Sequence, residues 1–585
     1  MYLPQLEEIQ VKREMIDVFK GYNHNPRIKE GEFYDGKNLS SDYYPVISPR
    51  AKRGVYKDNI TASSLIAKDG LCYISGTELC CDNGKSVKTT SGLNIPSADV
   101  VQLVSMGAYV IIVGGGYKKF VNLSDMSYGD IDVEFMSKSS KIYLCDIDGN
   151  YYSEIKTVKP SNPNDQCVWI DTNTSPYSAY VYYATEEKWQ LTKTYIGIYA
   201  SGIDSVFDVG DSVQLSTIEG VDEVDLTKSV TIANKFNDWI VVPGVAKRNY
   251  EEGFSIYVER KMPDMDFIIE SGNRLWGCFY GNKGNGIVNE IYASKLGDFK
   301  NWFTYQGIST DSYAVSVGSD GEFTGAITHL GYPIFFKENC MHKIYGSQPS
   351  NYQLQTTECR GVQKGSHKSL AIVNEVLYYK SRGGICVYDG SLPSEISQEF
   401  GTLRYSEAVA GALNNKYYVS MVADDRSTDV DKEYDLFVYD SAYRVWHKED
   451  SNGIVSFAPY NGNLYYIDKK NPNQIKTVIC NGEACEKIVK WSCETGIIGL
   501  ENPDSSYISK LNIRASLGVY SNVNIMIKYN SMGNWEFVGK MVGSNLSSYN
   551  LPIIPKRCDH FQLRFEGSGD FKIYSICKTV EQGGQ

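Results

Sequence analysis

The chain has 585 residues but only 6 His, and none of them stand at zinc-ligand spacing. Its 14 Cys include no CxxC pair, Cys80 and Cys81 being the only close set. A clustered zinc site is therefore excluded on spacing. No run of 18 apolar residues occurs, so no membrane-spanning helix is expected. The opening MYLPQLEEIQVKREM carries charges where a signal peptide needs an apolar core, so none is expected. Basic excess is also missing: the net charge is −12 and the pI about 5.2. That argues against a global nucleic-acid-binding surface, which needs clustered Lys and Arg. One basic stretch, Pro49 to Gly54, reads as a solvated loop. Cys72, Cys278, Cys386 and Cys577 fall inside apolar strand patterns and read as small buried hydrophobes of a protein made in a reducing cytoplasm.

Catalytic signatures are equally sparse. Gly84-Lys85-Ser86 has the end of a P-loop, but Leu79 stands where the first Gly belongs. Neither HExxH nor GxSxG occurs, nor does the SxDxGxxW box of sialidase propellers. Asp146 to Asn150 imitates the start of a calcium loop, but Thr157 sits where the closing acid should be, and a hairpin turn is expected. Asp320, Glu322, Asp389 and Asp440 lie in or beside turns and read as turn-forming or solvated acids. Cys558 and His560, two apart on a strand, share a face, but no partner that would orient such a pair is visible. No catalytic, cofactor-binding or metal-binding residue is assigned.

What is present is β-structure. Tyr (45) outnumbers Phe (21), and aromatics make up 13% of the chain, which suits strands and half-buried faces. From about residue 266 to 480, one pattern returns at intervals of roughly 40 residues: an apolar strand, a tight polar turn, another strand. Examples are YPIFFKENCMHKIYGS, EVLYYKSRGGICVYDG and YDLFVYDSAYRVWHKED. Asp69-Gly70 and Asn83-Gly84 mark hairpins in an earlier stretch of the same kind. The expected fold is all-β: a β-propeller of about seven blades with an inserted β-domain and a C-terminal antiparallel β-sandwich. The expected divisions are 1–60 as an N-terminal extended arm, 61–127 as the first blades, 128–262 as the insertion, 263–484 as the remaining blades and 485–585 as the sandwich. The 6–18 stretch reads as a short amphipathic helix or an edge strand. Trp302 and Trp446, each following a turn, are expected to fill wedges between blades.

Two segments resemble proteins of tailed bacteriophages. Near the N-terminus these are Gly21-Tyr22-Asn23, Gly31-Glu32-Phe33, Asn38-Leu39 and the Pro49-Arg50 to Arg53-Gly54 exit; near the C-terminus, SYISKLNIRASL and PIIPKRCDHFQLRFEGSGDFKIYSI. They resemble the tail nozzle or tail-hub propellers of short-tailed phages, also called stabilisation proteins. The resemblance covers both ends and, in the middle, architecture only; the 128–262 insertion matches nothing in it. It implies a structural virion protein without catalysis or cofactor, located in the phage tail. Several copies, commonly six, would form a homo-oligomeric ring below the portal and adaptor, with tail fibres as further partners and DNA as transient cargo. Two other readings stay open. One is an adhesin gripping a host-surface glycan, for which the insertion supplies Trp169, Trp189 and Trp239. The other is a propeller glycosidase, which would need two converging carboxylates.

Overall fold

The computed structural model describes residues 11–96, 101–218, 229–284, 286–428, 430–480, 482, 484–499, 506–543, 545–554 and 556–582. Strands dominate it, and the helical elements among the described residues are short 3-10 turns. The chain is all-β and propeller-like. Among the described residues, seven of its sheets are four-stranded antiparallel meanders. Meander 1 opens at Ala62–Ala67, meander 2 at Gln102–Met106 and meander 3 at Phe267–Ser271. Meanders 4 to 7 open at Gly325–His329, Ala371–Val373, Tyr405–Leu413 and Ile454–Tyr460.

Neighbouring opening strands lie against one another from meander 1 to 4 and from 5 through 7 back to 1. The 3-10 turn His367–Ser369 packs on meanders 4 and 5 and closes the cycle. Antiparallel succession puts the turns between second and third strands, and the connections between meanders, on one side of the assembly. The second strands are buried almost throughout, and this explains the continuous apolar runs in the sequence. Alternate residues of such a strand serve opposite neighbours. Leu71 and Tyr73 join Tyr465 and Ile467 of meander 7, whereas Cys72 and Ile74 join Val110 and Ile112 of meander 2. Trp302 packs between meanders 2 and 3 with Ile111 and Leu275, and Trp446 between meanders 5 and 6 with Tyr378 and Tyr417. Each indole N–H finds a carbonyl: Trp302 donates to Phe299 O at 2.9 Å and Trp446 to Ile396 O at 2.8 Å.

Between meanders 2 and 3 the chain makes a separate β unit. It leaves on Val133–Cys145 and returns on Tyr250–Arg260, and these two strands pair antiparallel from Val133↔Arg260 onward. A seven-stranded and a four-stranded sheet share one core there. The root is pinned by polar contacts. Arg260, 6% exposed, ion-pairs with buried Asp211, and Asn301 Nδ2 of meander 3 donates to Asp211 Oδ1 at 3.0 Å. Tyr128–Asp130, just before the unit, pairs as the last strand of meander 2.

The two ends of the chain fold together. Val11–Ile16 is a strand antiparallel to Phe571–Gln582, and Glu32–Lys37 is antiparallel to Lys490–Thr495. The resulting six-stranded and four-stranded sheets share a core in which Ile16, Phe19, Phe33 and Leu39 meet Ile513, Ile525, Phe565 and Ile573. Beyond it, Gly54–Lys57 pairs with Asn471–Thr477 as the outer strand of meander 7. The described part of the 1–60 segment is thus woven into this chain's own sheets; residues 1–10 lie outside the described residues. Gly21 passes so close to meander 6 that a Cβ would stand 2.2 Å from Trp446 O, and its φ of +82° also requires glycine.

Two expectations are corrected. The basic stretch is not solvated. Arg53 is 3% exposed and ion-pairs with Glu449 and Asp450, while Arg50, 8% exposed, grips Glu486 through Nη1 at 2.7 Å and Nη2 at 3.1 Å. These acids lie on the 6–7 connection and on the segment leaving meander 7, so the arginines tie three passages of chain together. Nor are the cysteines all unpaired: Cys72–Cys81 and Cys480–Cys485 are disulfides. Cys72 and Cys81 stand directly opposite on adjacent antiparallel strands, with Cα atoms 4.0 Å apart, which brings the sulfurs together. Cys278 and Cys386 are buried thiols, and Cys577 is a half-buried one.

Candidate functional site

A cavity of about 1040 Å³ lies where the opening strands begin, on the side of the inter-meander connections. Leu65, Gln102, Phe267, Glu407 and Val455 bring meanders 1, 2, 3, 6 and 7 to its wall, and the His367 turn enters it between meanders 4 and 5. Gln102 is fixed by donating to Asp266 O at 2.6 Å and accepting from Ile268 N at 3.2 Å. The His367 ring lies 5.4 Å from that of Phe267, and burial, with Lys368 beside it, pushes its pKa down to about 4. At neutral pH it is an uncharged imidazole. Lys368 Nζ donates to Val455 O at 3.3 Å.

Two carboxylates line this cavity, Asp266 and Glu407. Burial raises the Asp266 pKa, and the negative charge of Glu322 adds to it, while the Tyr280 N–H donated to Oδ2 at 2.8 Å works the other way. Glu407 is engaged by the Lys432 ammonium. A glycoside hydrolase needs one carboxyl to give a proton and another to act across the bond as nucleophile or base. Here Asp266 is held by backbone and Glu407 by a cation.

A polar cluster that the sequence did not signal sits between meanders 3 and 4. Ser319 Oγ lies 2.8 Å from His342 Nε2, and His342 Nδ1 lies 2.9 Å from Thr356 Oγ1. The arrangement imitates a serine–histidine pair, but its electrostatics oppose that use. Burial, with Lys337 beside it, pushes the His342 pKa down to about 4. A hydroxyl instead of a carboxylate stands behind the ring, so nothing stabilises the imidazolium that base catalysis would form. The Lys337 ammonium is held there by Asn289 Oδ1 at 3.0 Å and Ser319 O at 2.7 Å.

The other residues singled out from the sequence are dispersed. Asp146 Oδ1 accepts from its own turn, Asp148 N at 3.0 Å and Asn150 N at 2.9 Å, which is a turn geometry. Asp389 caps Ser391, and Asp440 takes the Ser41 hydroxyl and the Ala442 N–H. Glu322 pairs with Lys364, and Asp320 is exposed. His560 is bound by Ser531 Oγ at 2.8 Å and Asp559 Oδ2 at 3.3 Å, and burial raises the pKa of the Cys558 thiol. Among the described residues, no three His, Cys, Asp or Glu side chains come together as a metal site. No helix among them is long and apolar enough to cross a membrane.

In the inserted unit, Trp169, Tyr180, Tyr182 and Trp189 occupy the outer face of the four-stranded sheet. They pack mainly on each other. Trp169 stacks on Tyr180 at 4.9 Å and meets the Trp189 edge at 6.1 Å, and the Lys159 ammonium caps Trp169 at 5.0 Å. Trp239 belongs to the other sheet, against Phe236.

No protein-family model matches the chain, and no curated protein matches it. Solved structures resemble it distantly. The PorZ component of the type-IX secretion system of Porphyromonas gingivalis is 11% identical, with 88% of this chain and 82% of that one covered, at a TM-score of 0.23. Trypanosoma rangeli sialidase is 9% identical over 97% of this chain and 96% of its own, at 0.24. The exo-β-1,3-galactanase of Phanerochaete chrysosporium is 10% identical over 53% of this chain and 94% of its own, at 0.20.

Proposed function

We propose that the chain is a non-catalytic structural protein of a phage tail: a seven-bladed propeller, flanked by a C-terminal sandwich, that assembles as a nozzle ring through which DNA leaves. The seven meanders are the blades, and Gly54–Lys57 is the clasp that closes the last one. One observation carries this reading. The passages that resemble nozzle proteins, 21–54 at one end and 506–517 with 552–576 at the other, are far apart in sequence, and strands from both ends lie in one module with a common core. A module assembled from the two chain ends beside a rigid disc suits side-by-side packing in a ring. The net charge of −12 suits a conduit that does not hold DNA.

The glycan-binding adhesin is the second reading, favoured by the outward rings of the inserted unit. Sugar stacking uses ring faces, and here the Trp169 faces are spent on Tyr180 and Lys159. The test is assembly on a purified portal–adaptor complex, set against binding to host cell-wall glycan.

A further inference from the structure

A second cavity, about 260 Å³, opens between meanders 5 and 6. Its walls are the Gly383–Gly384 turn of meander 5 and the 397–405 connection that leads into meander 6. Lys380, last residue of the strand Val376–Lys380, is among its lining residues and is only 3% exposed. Two acceptors hold its ammonium, Gln363 Oε1 at 2.9 Å and Ser381 O, and both are neutral. An ammonium has three protons, so one remains for the cavity. Burying this charge without a carboxylate in contact is costly, and burial pushes the Lys380 pKa down to about 8 against the pull of Asp424 and Glu395.

Two more cations line the same space. Arg404 is exposed and uses Nη1 on Leu403 O at 3.1 Å. Arg360 pairs with Glu395, the one acid in the wall. Three cations against one anion leave an excess of positive charge around a space of small-molecule size. The wall also depends on glycine: a Cβ on Gly384 would stand 2.0 Å from Ser397 Oγ and 2.6 Å from Glu395 Oε1.

We propose that this cavity binds a small oxyanion, the phosphoryl or carboxylate group of a ligand, with Lys380 beneath it and Arg404 and Arg360 at its rim. A tetrahedral or planar oxyanion matches guanidinium forks and supplies the counter-ion that the buried ammonium lacks. The site lies on the face of the inter-meander connections and is separate from the 1040 Å³ cavity.

Isothermal titration of the full chain at low ionic strength tests this, with inorganic phosphate and acetate as separate probes. One site per chain is expected. Arg404→Gln, on an exposed side chain, and Lys380→Met are each expected to weaken binding about tenfold or more. Phosphate binding alone assigns the site to phosphoryl ligands, and acetate binding of similar strength assigns it to carboxylates. If Lys380→Met fails to fold, Arg404→Gln decides alone. No saturable heat with either anion up to about 10 mM, an affinity too weak for a built site, overturns the proposal. So does unchanged binding in Arg404→Gln.

Discussion

Replacing Arg53 by Met isolates the knot that holds the N-terminal passage to the rest of the chain. The guanidinium bridges Glu449 and Asp450, which are 4% and 9% exposed, and it also lies 5.5 Å from the Tyr466 ring. Methionine keeps most of the volume and removes the charge. Two buried carboxylates then face each other's field, with the Arg50 Nε 4.0 Å from Glu449. Removing one partner of a buried ion pair costs about 3–5 kcal/mol, because the orphaned charge stays desolvated. With a urea slope of about 3 kcal/mol/M, the unfolding midpoint falls by roughly 1–1.7 M. Tryptophan fluorescence follows it, since Trp446 and Trp491 lie in the sheets that the knot joins. Adding Glu449→Gln and Asp450→Asn to Arg53→Met removes the stranded charges and is expected to restore most of the loss. A single variant within about 1 kcal/mol of the parent refutes the reasoning, because an ion pair worth so little is a solvated one.

Three histidines, His342 and His447 buried and His367 half-buried, set an acid limit. Burial pushes the pKa of His342 and of His367 down to about 4 and that of His447 down to about 3. The unfolded imidazole takes its proton near 6.5 and the folded one does not, so unfolding binds protons and stability falls as pH drops from about 6.5 to 4. Each histidine contributes up to about 1.4 kcal/mol per pH unit in that window, and urea midpoints that stay flat there contradict it. Intact mass measured without reductant is expected to rise by about 4 Da on reduction, two hydrogens for each of the two disulfides; an unchanged mass contradicts both pairings. Trp302→Ala, at a site 1% exposed between meanders 2 and 3, is expected to cost about 3–5 kcal/mol in urea unfolding, and a cost below about 1 kcal/mol would mean the wedge is not packed.

Much of the β-architecture was legible because it is local. Asp69-Gly70 and Asn83-Gly84 do fall between paired strands, and the buried second strands are the apolar runs of the sequence. Even the Cys72–Cys81 pairing was within reach. The hairpin pairs Ser75 with Glu78, and the same register puts 72 opposite 81. The partners of Arg50 and Arg53 were not legible, since they lie 436 and 396 residues further along the chain. The joining of Val11–Ile16 to Phe571–Gln582 is hidden in the same way, because local periodicity carries no record of which distant strand an edge will take. The cavity lined by Lys380, Arg360 and Arg404 draws on residues from separate elements, each of which reads in sequence as an ordinary basic residue. The contacts of Trp169 with Tyr180 and Trp189 were not legible either, since they depend on the register of the four-stranded sheet.

The central proposal is that this propeller-like chain is a building block of a ring. The mass of the purified protein in solution, alone and then with the portal–adaptor complex, tests it most directly. A closed ring of identical chains, commonly six, forming on the adaptor is the expected result. A chain that ignores the adaptor and instead binds host cell-wall glycan would contradict it.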